Sequence, residues 1–293
     1  MATTTLNIIG CGRVGRALVR LWAQNGMFEI QDVFDHAPDN SAAAAAFIGH
    51  GRAVSVLGQM RRADVWMLTP PDDQIAACCT ALASSGLLAA GDIVFHCSGA
   101  LPSSDLAPAT ARGARVASVH PLKSFADPAI AARTFSGTYC AAEGDAAALA
   151  VLRPAFERIG GSVSEIDPAF KTVYHAASVI VCNYLTALLE TGVRCYEKAG
   201  FTREDALRMI EPLVRETLDN AFKLGTVQAL TGPIARGDHA VIAHQLKALG
   251  AWDARIAAIY RQLGAIALDL ARAQGKADAG ALAAIERVLT GDK

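Results

Sequence analysis

Three glycines, Gly10, Gly12 and Gly15, follow the apolar run Leu6–Ile9 at a spacing that bares main chain to an anion. Gly10 permits a sharp turn off a strand, Gly12 lets a diphosphate approach the backbone, and Gly15 lets the next helix pack closely on a sheet. The amides of Gly10, Cys11, Gly12, Arg13, Val14 and Gly15 then surround the phosphates, where the helix dipole favours negative charge. Asp35 closes a second apolar run, Glu29–Phe34, twenty residues past Gly15. A carboxylate there accepts the ribose hydroxyls and repels a 2′-phosphate. The set implies a dinucleotide, NAD or NADP, with Asp35 favouring NAD. His36 reads either as a solvated turn residue or as a basic group able to hold a phosphate.

Further chemistry gathers at the ends of other apolar runs. Leu68-Thr69-Pro70-Pro71-Asp72 is a stiff loop in which Thr69 and Pro70 should lie along the cofactor. His96-Cys97-Ser98-Gly99-Ala100-Leu101 offers the Ser98 hydroxyl and a glycine amide to a substrate carbonyl or carboxylate, or else a serine-capped turn. His120, extended because Pro121 follows it, faces the same cleft, whereas His96 is read as packed. Lys123 is a candidate anion binder or a solvated lysine. Lys171, His175, Val179 and Asn183 recur every four residues and so share one helix face. His175 there is suited to pass a proton near neutral pH, with Asn183 as a substrate anchor. The plainer reading of both is hydrogen bonding between helices. Arg236 and Asp238 are expected to pair, and Cys97 is the best candidate for a reactive thiol.

Elements that would position these residues alternate through the first half. Strands are predicted at Leu6–Ile9, Glu29–Phe34, Ala53–Val56, Val65–Leu68, Ile93–Cys97 and Arg115–Val119, with two more near Thr138–Ala141 and Ser162–Ile166. Helices are predicted at Val14–Gln24, Ser41–Ile48 and Asp73–Ala83, the last capped by Asp73, and from about Asp145. That alternation is a doubly wound α/β domain, residues 1–167. After Asp167 the spacing is helical throughout, over Lys171–Ala199, Arg203–Leu224, Ala235–Leu249, Trp252–Gln274 and Asp278–Leu289, giving an all-helical second domain, residues 168–293. Lys171–Ala199 is apolar around much of its girth and must be covered on several faces. A homodimer through the helical domain is therefore expected.

Composition narrows the partners. A formal net charge of −1 supplies no basic field for nucleic acid and no cationic face for a membrane. No uninterrupted apolar stretch reaches 18 residues, and Met1 to Thr5 runs straight into the first strand, so neither a membrane span nor a secretory signal is expected. The seven cysteines make neither a CxxC pair nor a zinc spacing. No metal is expected, and the thiols read as reduced and buried in a cytoplasmic protein.

The chain resembles Rossmann-like proteins whose helical second domain is known only as domain of unknown function number 2520. The motifs are the Gly10–Gly15 loop, His96–Leu101, His120-Pro121-Leu122, Tyr174-His175-Ala176-Ala177 with Asn183-Tyr184, and Leu230–Asp238. The resemblance implies an NAD(P)-dependent or F420-dependent NADP oxidoreductase. Its plan is similar to that of pyrroline-5-carboxylate reductase and the β-hydroxyacid dehydrogenases, which dimerise through helical domains. A substrate-flanking lysine and asparagine in the latter correspond only in region to Lys171, His175 and Asn183. Asp35-His36 stands where relatives carry a Ser-Arg pair, which speaks against NADP. The expected function is an NAD(P)-dependent oxidoreductase of a small polar hydroxy or imino acid. The alternatives are a dinucleotide sensor without turnover and a flavoprotein that borrows the fold.

Overall fold

The structure, a computed structural model, describes residues 3–291. Strands β1 (Thr5–Ile9), β2 (Glu29–Phe34), β3 (Arg52–Val54), β4 (Val65–Leu68), β5 (Ile93–His96), β6 (Arg115–Pro121), β7 (Tyr139–Gly144) and β8 (Ser162–Glu165) form one sheet in the order β3-β2-β1-β4-β5-β6-β7-β8. All pairings are parallel except β6 with β7, which is antiparallel. The extra pairing carries β6 two residues beyond its expected end, so His120 is a strand residue opposite Ala141. Strand order reverses between β1 and β4, the position at which open α/β sheets bind ligands beyond their carboxyl ends.

Helices α1 (Arg13–Gln24), α2 (Pro38–Ile48), α3 (Asp72–Ser84), α4 (Ala107–Thr110), α5 (Pro128–Arg133) and α6 (Ala146–Arg158) connect the strands. Adjacent strand residues serve opposite faces, as the pleat requires. Ile8 and Phe95 join one core with Leu18, Trp22 and Phe156 of α1 and α6. Ile9 and Val94 join the other with Ile75 and Leu82 of α3. Trp22 donates its indole N–H to the Ala155 carbonyl at 2.9 Å, which satisfies the polar atom of a fully buried ring. Asp73 does not cap α3; Pro71 takes the cap position and Asp73 lies in the first turn.

Beyond these follow α7 (Lys171–Lys198), α8 (Arg203–Leu224), α9 (Thr226–Ala229), α10 (Pro233–Arg236), α11 (His239–Trp252), α12 (Ala254–Gln274) and α13 (Ala279–Thr290). The chain divides into two compact units, Met1–Asn183 and Tyr184–Lys293, and the division falls inside α7. In the second unit α11, α12 and α13 share a core of Ile242, Leu246, Leu268 and Ile285. Beside it opens an apolar groove of about 600 Å³ lined by Leu188, Tyr196, Ile210, Leu213 and Leu263. Pro168–Lys198 is long and apolar enough to cross a membrane by length and composition alone. Its first turn, however, sits on the sheet through Lys171, which is 1% exposed. Arg236 pairs with Asp238 at 3.0 Å, a local structural contact.

Candidate active site

The glycine loop is built as a cradle. Gly10 turns with φ +87°, and a Cβ there would collide with the Pro70 nitrogen and lie 2.6 Å from the Thr69 carbonyl carbon. A Cβ on Gly15 would collide with the Thr69 hydroxyl and sit 2.6 Å from Ile8 Cδ1. Thr69 fixes this arrangement by donating its amide to Ile9 O at 2.8 Å and its hydroxyl to Gly10 O at 2.7 Å. Gly12 caps α1 without any side-chain bond, which leaves the helix start to a ligand. Asp35 ends β2 and accepts from the Cys11 amide at 2.8 Å and the Ala37 amide at 3.0 Å. Burial alone would raise its pKa, yet those amides hold it below the ordinary carboxylate value. His36 is exposed beside it, 3.2 Å from Oδ1.

Two cavities flank Gly12, Thr69 and Pro70. One, about 370 Å³, is lined by Gly10, Cys11, Asp35, His36, Asn40 and Cys78. The other, about 520 Å³, is lined by Arg13, Val14, Asp72, Cys97, Ser98 and Lys123. Two lobes joined at a bare backbone bridge match two nucleosides joined by a diphosphate, so the residues present fit a dinucleotide. Lys123 spends its ammonium on the Thr134 carbonyl at 2.7 Å. Cys97 is buried and burial pushes its thiol pKa up, which suits packing rather than nucleophilic attack.

Beside the second cavity stands a group of proton carriers. His120 Nδ1 and the Tyr174 hydroxyl hydrogen-bond at 3.0 Å. The rings of His120 and His175 meet edge to face with centroids 5.7 Å apart. Both crowd Gly99, where a Cβ would collide with His175 Nδ1 and come within 2.8 Å of His120 Nε2. His175 Nδ1 is buried without a hydrogen-bond partner among the described residues. Burial, then the neighbouring His175 and Lys171, pushes the His120 pKa down to about 4, so its ring is neutral at pH 7. Burial raises the Tyr174 phenol to about 12.

The loop beneath this group is heavily braced. Ser98 donates its hydroxyl to Asp72 Oδ2 at 2.7 Å and accepts from the Ala100 and Leu101 amides at 3.2 and 3.1 Å. The hydroxyl expected to meet substrate is thus committed to the loop. His96, wholly buried, accepts the Ser98 amide on Nδ1 at 3.2 Å and reaches Pro102 O with Nε2 at 3.3 Å. Asn183 is not brought to this cluster. It is exposed, eight residues along α7 from His175, or roughly 12 Å at the helical rise. Sequence reasoning quoted Tyr174 and Asp72 within its motifs without giving either a role, and it missed Glu143. The Tyr174-His175 motif signalled the first; the contacts of the other two depend on strands brought together in the sheet.

Residues 1–121 match the family model of the Rossmann-like domain, and residues 138–266 match that of Domain of unknown function (DUF2520). No curated protein matches the chain by sequence. Among solved structures, a Thermotoga maritima protein is 24% identical, with a TM-score of 0.74 over 93% of this chain and 100% of its own. A pyrroline-5-carboxylate reductase from Coxiella burnetii is 17% identical, with a TM-score of 0.59 over 98% of this chain and 99% of its own. A reductive aminase from Aspergillus terreus in complex with NADPH and ethyl-5-oxohexanoate is also 17% identical at a TM-score of 0.59, covering 99% of this chain and 95% of its own. At these identities the likeness establishes the shared fold.

Proposed function

For a chain that joins a Rossmann-like domain to a DUF2520 domain, we propose a nicotinamide-dinucleotide oxidoreductase acting on a small polar substrate of hydroxy-acid or imino-acid type. The observation that carries this reading is the crowding of His120, with Tyr174 bonded to it, and His175 around Gly99, the residue next to Ser98 in the wall of the cofactor cavity. A bound nicotinamide supplies or takes the hydride. Gly10, Gly12 and Gly15 present backbone to the diphosphate, Asp35 receives the adenosine ribose, and Thr69 and Pro70 line the path between the lobes. Asp35 sets the preference for NAD over NADP, since its carboxylate would lie against a 2′-phosphate.

His175 passes the proton to or from the substrate heteroatom, and the Tyr174–His120 pair holds a second transferable proton beside it. The neutral His120 ring can accept where an imidazolium could not. Ser98 acts by shaping the loop that carries Gly99. The likeness to a reductase and a reductive aminase supports this reading. A second copy of the chain is the partner proposed for the uncovered apolar residues of α7 and the second unit.

Fluorescence titration with NADH and NADPH tests the cofactor. NADH should bind, and more tightly than NADPH. Gly12 has an ordinary φ of −67°, so Gly12→Ala should fold while its methyl fills the cradle 3.2 Å from Thr69 O. Affinity should fall at least about tenfold, which corresponds to ~1.4 kcal/mol. Undiminished binding by Gly12→Ala, or no binding by the parent protein, refutes the reading. A metabolite screen with the preferred nucleotide then identifies the substrate.

A further inference from the structure

Lys171 opens α7 with its ammonium enclosed by β6, β7 and the 98–103 loop. Nζ donates to the Ser118 hydroxyl and, at 2.8 Å, to Glu143 Oε1. Glu143, 3% exposed, also accepts from the Ser103 amide at 2.8 Å and the Ser103 hydroxyl at 2.7 Å. Ser118 donates onward to the Ser98 carbonyl at 3.3 Å. One buried ion pair therefore ties the first residue of α7 to both ends of a loop whose second residue is Gly99.

Stability alone is a poor reason for such a pair. Desolvating two charges costs about as much as their attraction returns, and apolar residues of similar volume often do as well. The location suggests another role. Tyr174 and His175 lie three and four residues after Lys171, on the same side of the helix. His175, with the His120 ring that Tyr174 holds, leaves no room at Gly99 for a single methyl group. A helix start free to shift would open or crush that contact.

We propose that Lys171, paired with Glu143, is a positioning residue that sets both the spacing and the electrostatic surroundings of the Tyr174–His120–His175 group. Around His120 stand His175, Tyr174 and Lys171 from α7 and Asp72 from the start of α3. His175 and the Lys171 ammonium disfavour its protonation and Asp72 favours it. The role rests on the acid–base reading above, but its test needs neither substrate nor nucleotide.

The test is an NMR titration of the His120 ring in the ligand-free protein. The double substitution Lys171→Met with Glu143→Gln removes both charges while keeping volume, and should fold. In it the His120 midpoint should rise above about 4 while staying below 6.5, since burial and His175 remain, and the Nδ1 signal should lose the mark of the Tyr174 hydrogen bond. A folded double variant in which midpoint and Nδ1 signal are unchanged overturns the proposal. Ser118→Ala serves if the double variant fails to fold. It keeps both charges but frees one side of the ammonium, so the midpoint should stay low while the Nδ1 signal changes; an unchanged Nδ1 signal again overturns it. Should the expected shifts occur in a protein that binds neither nucleotide, the positioning role stands and the oxidoreductase reading falls.

Discussion

The first residue of α7 and the turns that follow it invert the usual distribution of polarity. Lys171 is 1% exposed, while Val173, Ile180, Val181 and Tyr184 are each more than half exposed. Charged side chains are almost never fully buried unless paired, and apolar ones gain by leaving water. The buried lysine shows that the helix start is located by specific partners. The bare valines are apolar surface that the described residues leave in water. The second unit continues that pattern with Leu213, Phe222 and Ile266 exposed. By contrast, the strands β1, β4 and β5 are covered on both faces.

Breaking the exposed side of this contrast should have the largest effect. Val181→Asp would be almost neutral on a solvated surface, where substitutions change stability by about 0.5 kcal/mol or less. Under a second copy it would bury an unpaired carboxylate at a cost of several kcal/mol. The parent protein should sediment as two 30.6 kDa chains and the variant as one, at concentrations near 10 µM, roughly a hundredfold weaker association or more. A monomeric parent, or a variant that stays dimeric, would remove second-copy burial as the account of those exposed residues.

The two sides of the contrast were not equally legible. The glycine loop and Asp35 could be read because turn and helix chemistry is local, and the apolar girth of α7 because it repeats every three or four residues. The Lys171–Glu143 pair could not, since its partners are 28 residues apart and meet only because β7 returns antiparallel beside β6. His120 of β6 likewise meets Tyr174 of α7 across 54 residues, a separation no local pattern spans. The four-residue spacing grouped Lys171 with Asn183, but at 3.6 residues per turn each such step drifts by about 40°, so across twelve residues the two stand roughly 120° apart around the helix. That drift, together with the silence of spacing on how far the covering sheet extends, grouped a buried ammonium with an exposed amide.

Acid sharpens the buried polar side. Burial, followed by the Lys171 charge, pushes His96 down to about 4 from 6.5, and His120 is lowered to the same value. Between those limits the unfolded chain binds more protons than the fold, so stability falls as pH drops. The contribution is complete above about 6.5 and lost on approaching 4. For fully buried His96 it amounts to on the order of 3 kcal/mol at ~1.4 kcal/mol per unit. Asp32 and Asp35, with values lowered from 3.8, begin to weaken the fold only near the acid end of this window and do so mainly below it. Urea melts from pH 7 to 4 should show the decline, and His96→Asn should flatten it by about half. A pH-independent midpoint across that range would mean the rings are open to water.

The smallest effect should come from Ser98, which joins the polar network to the cavity wall. Its hydroxyl serves two loop amides and Asp72, as a helix-capping serine would. Ser98→Ala should therefore lower stability by about 1 kcal/mol, the usual cost of losing such a cap. It also strips the Asp72 carboxylate of its Ser98 hydrogen bond at the wall of the cavity that Arg13 and Lys123 line, where a less satisfied negative charge opposes a diphosphate more strongly. NADH affinity should drop a few-fold, more at low salt than at high, because screening shortens the reach of an exposed charge. A substrate-contacting hydroxyl would behave differently: removing it would leave both stability and NADH binding intact and reduce turnover alone. Measuring melting, NADH affinity at two salt concentrations and turnover on one variant thus separates a residue that shapes the loop from one that touches the reacting molecule.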